Sequence, residues 1–389
     1  MSKVKRKTKV IYLDNAATTA IYPEVLKTYT DVAVKIMGNP SSLHDLGTVA
    51  SRMLMASRKQ IADLLEKKTS EIYFTSGGTE GDNWLIKGVA FEKKSYGKHI
   101  IISAVEHPAV KTSALWLKTQ GFEIDLAPVD SNGFVKLDAL AALIRPDTIL
   151  VSVMAVNNEI GAIQPLQGIA NLLKNQPKIS FHVDAVQAIG KLMPADMLPE
   201  RVDFATFSAH KFHGPRGVGF VYIKEGKKLQ PLLSGGGQEQ NQRSTTENVA
   251  GIAATAKALR LFLSEMAHKQ EKIQAMKSVL MTALEAYSDV VIFSQTENFI
   301  PNILTFGIKG VRGEVLVHGF EAHNIYISTT SACSSKAGVA SSTLGAMNIS
   351  PRVATSAVRI SLDASNNMAE IEQFLTIFKQ LHEKFQKIT

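Results

Sequence analysis

The stretch Val202-Asp-Phe-Ala-Thr-Phe-Ser-Ala-His-Lys-Phe-His-Gly-Pro-Arg-Gly-Val-Gly-Phe-Val-Tyr-Ile223 sets two apolar runs on either side of a loop that turns through three glycines and a proline. Val202–Phe207 and Val218–Ile223 read as buried strands, and the loop between them receives Ser208, His210 and Lys211. Working outward, Glu71–Thr75, His99–Ser103, Thr148–Val153 and Ser180–Val183 are further short runs of the same kind. Amphipathic stretches separate most of them, among them Ser51–Leu65, Thr79–Phe91 and Leu166–Lys174. Strand–helix alternation of this sort predicts an α/β fold, a mainly parallel sheet with helices on both faces.

The pattern changes after Gly235-Gly-Gly237. A helical stretch without proline runs from about Glu247 to Tyr287, followed by strands near Ile303–Ile308 and Val358–Leu362 and a closing helix near Ala369–Lys387. This predicts a smaller α+β unit. The expected division is a large domain over 15–260 and a small one built from 1–14 with 261–389. No internal repeat or low-complexity linker separates them.

Composition excludes several classes. Of 389 residues, 45% are hydrophobic and 20% charged, which is a globular balance rather than a disordered or fibrous one. The net charge of +8 is partly local, since Lys3, Lys5, Arg6, Lys7 and Lys9 crowd the start. That run reads as a solvated tail, and direct nucleic-acid binding is not expected. No apolar segment approaches the roughly 18 residues of a membrane span, and no signal segment is present. One cysteine and no export signal point to the reducing cytoplasm.

The residues that carry chemistry fall at the carboxyl ends of the predicted strands, where open α/β sheets bind ligands. Ser76-Gly-Gly-Thr79 follows a strand and opens a helix. Gly78 and its neighbour let backbone approach a ligand, and the helix N-terminus suits a phosphate, although such a pair is also an ordinary turn. Asp184 ends an apolar run, where a carboxylate is costly unless paired. It either caps a helix or binds an arginine, or it keeps a cofactor's ring nitrogen protonated. Lys211, among apolar and aromatic residues, is a turn lysine or a desolvated amine suited to Schiff-base chemistry. His107 follows another strand and could lie flat on a ring. His210 and His213 lack the helical context of a metal pair, so no metal is expected. Cys333, the only cysteine, sits in Ser328-Thr-Thr-Ser-Ala-Cys-Ser-Ser335 and can form neither a disulfide within the chain nor a multi-thiolate site. It is an idle surface thiol or a mobile nucleophile. A phosphate cup, a buried acid, a lysine and an aromatic residue together form the inventory of a pyridoxal phosphate enzyme.

The chain resembles the cysteine desulfurases of the NifS/IscS type, within the class V aminotransferase group of fold-type I enzymes. The resemblance runs nearly end to end. It is carried by Tyr12-Leu-Asp-Asn-Ala-Ala-Thr-Thr19, Gly38-Asn-Pro-Ser-Ser42, Ser76-Gly-Gly-Thr-Glu80, Glu106-His107, Val156-Asn-Asn-Glu-Ile-Gly161, His182-Val-Asp-Ala-Val-Gln187, Ser208-Ala-His-Lys211 and Ser331-Ala-Cys333. It implies a seven-stranded sheet and pyridoxal 5'-phosphate on Lys211, with Asp184 at the ring nitrogen, Gln187 at the ring hydroxyl and His107 stacked on the ring, helping to move protons. Gly78, Thr79, Ser208 and His210 would hold the phosphate, with Thr246 reaching it from a second subunit of a homodimer. Asn158 and Arg359 would clamp the carboxylate of L-cysteine. Cys333 would take the sulfur as a persulfide and pass it to an acceptor protein, an Fe–S scaffold or a tRNA-thiolating enzyme. Selenocysteine lyase and another class V aminotransferase or lyase are the neighbouring activities. The chain departs from the family pattern at Gln238-Glu-Gln-Asn-Gln-Arg-Ser-Thr-Thr246, where an Arg and a Gly-Thr pair are usual, and at Gly338-Val-Ala-Ser-Ser-Thr343, where a Glu-Pro stretch is usual.

Overall fold

The computed structural model describes residues 10–386 except 265, 296 and 331–341. Cys333 and the basic run from Lys3 to Lys9 therefore lie outside the described residues. A short strand β1 (Ile11–Tyr12) precedes helices α1 (Pro23–Lys35) and α2 (Asp45–Leu64). Pro23 starts α1, where its missing N–H costs nothing. His44 caps α2 by accepting from Gly47 N at 3.2 Å.

The next part alternates as expected: β2 (Ile72–Thr75), α3 (Gly78–Lys93), β3 (His99–Ser103), α4 (Pro108–Lys118), β4 (Glu123–Ala127), α5 (Leu137–Leu143), β5 (Thr148–Ser152), α6 (Leu166–Leu172), β6 (Ser180–Asp184), α7 (Pro194–Met197), β7 (Phe204–Ser208) and β8 (Gly219–Ile223). These strands form one seven-stranded sheet in the order β2-β8-β7-β6-β5-β3-β4. Pairing is parallel from β4 through β7, while β8 runs antiparallel to both β7 and β2. β3, β5, β6, β7 and β8 are buried along their whole length, as strands covered on both faces must be. Successive residues serve opposite faces. Ile100 and Ile102 belong to one apolar cluster with Trp84, Leu85, Val110 and Ala114 of α3 and α4, and Ile101 belongs to another with Leu54, Ile61, Leu166 and Ile169 of α2 and α6.

Two features differ from the sequence reading. β4, the edge strand, reads Glu-Ile-Asp-Leu-Ala with exposed Glu123 and Leu126, so no continuous apolar run marks it. The helical stretch after Glu247 is two helices, α8 (Val249–Leu263) and α9 (Met266–Glu285). Ser264 ends α8 in an extended conformation, and its Oγ donates to Leu261 O at 2.6 Å, so a side chain competes with the helical ladder where no glycine or proline does.

The remaining elements are β9 (Val290–Ile292), β10 (Ile303–Ile308), α10 (Gly313–Glu321), β11 (Ile325–Tyr326), β12 (Ser328–Thr329), α11 (Ser342–Ala346), α12 (Pro351–Ala354), β13 (Ala357–Ser361) and α13 (Met368–Gln386). β12-β13-β10-β9 form an antiparallel sheet, and β1 pairs in parallel with β11. A separate apolar cluster gathers Ile11 and Leu13 with Ile273, Leu280, Phe306, Phe320, Phe374 and Phe378. No helix among the described residues is long and apolar enough to cross a membrane.

The loop after Gly237 is tied to the large sheet by a buried ion pair. Arg58 of α2 donates to both carboxylate oxygens of Glu239 at 2.7 Å, and Phe74 N donates to the same group at 2.9 Å. Removing one partner strands a buried charge. Glu239→Ala is expected to lower stability by about 3–5 kcal/mol in urea unfolding of the cofactor-free protein.

Candidate active site

A cavity of about 330 Å³ opens at the carboxyl ends of β5, β6 and β7. Among its lining residues are Gly78, Thr79, His107, Asn158, Asp184, Gln187, Ser208, His210, Lys211 and Arg359. These are ten of the twelve residues singled out in the sequence. Thr246 is exposed and lines a neighbouring cavity with Ser76 and Gly217. Cys333 lies outside the described residues; of the residues flanking its segment, one lines the cavity and another bonds to the neighbour of Asn158. Thr330 lines the cavity, and Thr343 Oγ1 accepts from Asn157 Nδ2 at 3.2 Å.

Each side chain is placed by local structure. β7 ends at Ser208, and a single 3-10 turn, Ala209–Lys211, swings Lys211 into the cavity. Its Nζ donates to Ala16 O at 2.6 Å and Ala17 O at 2.9 Å. Gly77 adopts φ +156°, a conformation L side chains rarely take, and α3 begins there with no side-chain cap. The first N–H groups of that helix face the outer cavity lined by Thr18, Thr79, Ser208 and His210, which suits an anion. His210 Nδ1 lies 3.2 Å from Thr18 Oγ1, and burial, with Lys211 and Arg216 adding to it, holds the ring down to about 4.

Asp184 ends β6, and its Oδ1 accepts from Val186 N at 2.9 Å. Burial raises its proton affinity, while His107, the Val186 N–H and Lys211 act in the opposite sense. His107 caps α4 by accepting from Ala109 N at Nδ1, 3.1 Å away. That bond leaves the proton of the neutral ring on Nε2. Burial lowers its pKa most, Asp184 raises it and Lys211 lowers it further. Gln187 donates through Nε2 to Ala16 O at 2.8 Å and accepts from Lys191 Nζ at 2.8 Å, which fixes its amide orientation.

Arg359 comes from the middle of β13. It donates to Asn158 O at 2.7 Å and pairs with Asp14 at 3.0 Å, and its buried Nε has no hydrogen-bond partner. The arginine is thus both a partner in a structural ion pair and a group that lines the cavity. His213 is used structurally: Nδ1 meets Ala20 O at 2.7 Å, Nε2 meets Asp363 at 3.0 Å, and the ring stacks on Tyr22 at 4.0 Å.

Several charged residues near the site have no role in the sequence reading, among them Asp14, Asp82, Glu106 and Lys191. Asp14 and Lys191 orient Arg359 and Gln187. Asp82 and Glu106 are buried acids, and signals for both existed: Asp82 follows Gly78 by one helical turn, and Glu106 directly precedes His107. Glu106 Oε1 accepts from Ser103 Oγ and Met154 N, both at 2.7 Å, and Oε2 has no partner.

The donor set fits pyridoxal phosphate. An amine, an acid at a strand end, an oriented amide, a helix N-terminus with two hydroxyls and an unsatisfied guanidinium nitrogen converge on one cavity.

Burial pushes Glu106 from 4.5 up to about 8, with Asp184 adding to the rise. The folded chain therefore keeps a proton that the unfolded chain releases above about 4.5, and stability falls as pH rises from there to about 8. Glu106→Gln keeps the Oε1 acceptor and removes this slope. By pH 8 it is expected to exceed the unsubstituted protein in stability by on the order of a few kcal/mol, and to show no such gain at pH 4.

Comparison with known proteins shows the family. The aminotransferase class-V family model matches residues 11–374. A NifS/IcsS protein homolog of Lactobacillus delbrueckii subsp. bulgaricus is 50% identical over 380 residues, 97% of this chain and 99% of the relative. Cysteine desulfurase IscS of Methanosarcina thermophila is 38% identical over 99% of this chain and 95% of its own length. A solved NifS-like protein superposes with a TM-score of 0.90 at 37% identity, covering 96% of this chain and all of its own. The chain belongs to the class V aminotransferase family, in its NifS/IscS cysteine desulfurase branch.

Proposed function

We propose that this cysteine desulfurase works with pyridoxal 5'-phosphate bound to Lys211, takes L-cysteine as substrate, and transfers its sulfur through Cys333 to an acceptor protein. The observation that carries this reading is the convergence of Lys211, Asp184, His107 and Arg359 on one cavity at the sheet's carboxyl edge. The cofactor supplies a carbonyl to capture the substrate amine and a ring to accept electrons from its Cα.

The residues divide the remaining work. Asp184 holds the ring nitrogen, Gln187 the ring hydroxyl, and Gly78, Thr79, Ser208 and His210 the phosphate. Arg359, with Asn158, binds the substrate carboxylate through charge-assisted bonds. Lys211, once displaced, carries the Cα proton. His107, with its hydrogen on Nε2, donates to groups above the ring. The thiolate of Cys333 would attack the substrate sulfur, so that an S–S bond forms as the C–S bond breaks, the electron pair of the broken bond passes to the substrate Cβ, and a proton taken up there leaves alanine. The outer sulfur of the persulfide then passes to an acceptor thiolate of an Fe–S scaffold or a tRNA-thiolating enzyme in the cytoplasm, with the Cys333 thiolate as leaving group. Thr246, exposed in one chain, completes the phosphate site of a second copy. Leu43, Met37 and Val34 expose an apolar surface around α1 and α2 that a homodimer would cover.

Cys333→Ser is expected to abolish alanine and sulfide release from cysteine. Turnover at the original rate would show that Cys333 does not take the sulfur. Arg359→Lys loses the planar fork and is expected to raise the cysteine KM about tenfold or more with a smaller change in kcat. Lys211→Ala and Thr246→Ala homodimers should each be nearly inactive, and refolding them together should restore one working site per hybrid. An inactive mixture would exclude a shared site.

A further inference from the structure

The cavity floor holds more acid than one cofactor nitrogen requires. Asp82, on the inner face of α3, is 1% exposed, and its Oδ1 has no hydrogen-bond partner. Its carboxyl lies within 4.8 Å of both the Asp184 carboxyl and the His107 ring. Glu106, equally buried, lies on the loop after β3 with its own unpartnered oxygen. Two carboxylates this close in a water-poor site do not both stay ionised.

The surroundings decide where the single charge sits. Asp184 faces Lys211 and His107 and accepts a backbone N–H. Asp82 faces Thr206 of β7 and His182 of β6, whose Nε2 is 3.6 Å from Oδ1. That imidazole gives Asp82 no positive charge. It is fully buried between Ser152 Oγ at 2.8 Å and Thr206 Oγ1 at 3.2 Å, and burial holds it down to about 3. A lone carboxylate there would be an unpaired buried anion, whereas a carboxylic acid is tolerated.

We propose that Asp82 is a neutral carboxylic acid and a positioning residue that, with Glu106, confines the negative charge of the cluster to Asp184. The inference rests on the reading of Asp184 as the partner of the ring nitrogen. Its consequence is that the cofactor meets one anion whose charge neither flanking acid shares. Burial, followed by the charge of Asp184, raises Asp82 well above the carboxylate range, in keeping with the geometry.

The test is infrared difference spectroscopy of the holoenzyme at about pH 6.5, below the value to which Glu106 is raised, wild type against Asp82→Asn, with Asp82→Ser as a second variant should the first lose structure. The absorbance of the bound cofactor is titrated with pH on each. Expected are the loss of one protonated-carboxyl C=O band, unchanged carboxylate bands, and a cofactor titration that stays in place because one neutral group replaces another. Loss of a carboxylate band, or a titration moved to lower pH, would overturn the proposal, since either means that a charge was removed. Asp184→Asn keeps the two readings apart. If it leaves the cofactor spectrum unaltered, Asp184 does not hold the ring nitrogen and the positioning role falls with it. The infrared band of Asp82 then still reports whether that acid is neutral.

Discussion

A carboxylate at the buried end of β6 is the constraint around which the site is organised. Asp184 ends a fully buried strand in the middle of the large sheet, where an unpaired anion would cost several kcal/mol. Lys211 comes from the turn after β7, the neighbouring parallel strand, and His107 from the loop after β3, two strands away on the other side. Parallel pairing brings these connections to one edge, so the topology itself supplies the compensating groups. Were β7 to run the other way, Lys211 would emerge at the opposite edge and Asp184 would have no cation beside it.

The two halves of the molecule meet on a second charge. Arg359 projects from β13 of the small sheet, yet its partners are Asp14, just after β1, and the carbonyl of Asn158, after β5 of the large sheet. Around it, Asn15 and Ala16 bond to Ser361, and His213 of the lysine loop bonds to Asp363. The segment 14–17 is thus held by the small sheet while its carbonyls hold Lys211 and Gln187. A guanidinium buried at this junction ties the small sheet to the wall of the cavity through Asp14 and the Asn158 carbonyl.

Much of this was legible in the sequence because the signals are local. Apolar runs marked the strands buried on both faces, and the glycines and functional residues after them marked the carboxyl edge. β4 escaped because an edge strand alternates, and the break between α8 and α9 escaped because a single serine side chain makes it. Ten of the twelve site residues line one cavity. Asp14, Asp82 and Glu106 were given no role because a deciding partner, Arg359, Thr206 or Met154 N, is distant in sequence, while Lys191, bonded to Gln187 four residues away, looks like a solvated charge until the fold encloses it. Asp82 is surrounded in the sequence by Gly81 and Asn83, an ordinary polar turn of a helix, and only the packing of α3 on β6 and β7 reveals its setting.

The loop from Gln238 to Thr246 shows how a departure from the family's pattern is accommodated. Glu239, Gln240 and Asn241 take positive φ values of 49°, 58° and 65° in succession, a conformation that costs on the order of 1 kcal/mol or more per residue outside glycine. Glu239 offsets this with two bonds to Arg58 and one to Phe74 N, and Asn241 is the residue type that tolerates the left-handed region best after glycine. At the far end, Arg243 pairs with Glu80 in the first turn of α3 at 2.7 and 3.0 Å. Thr245, which stands where the family usually has glycine, keeps a negative φ, so a side chain there strains no backbone. The loop is thus fixed at both ends, at Arg58 through Glu239 and at Glu80 through Arg243, three residues before the exposed Thr246.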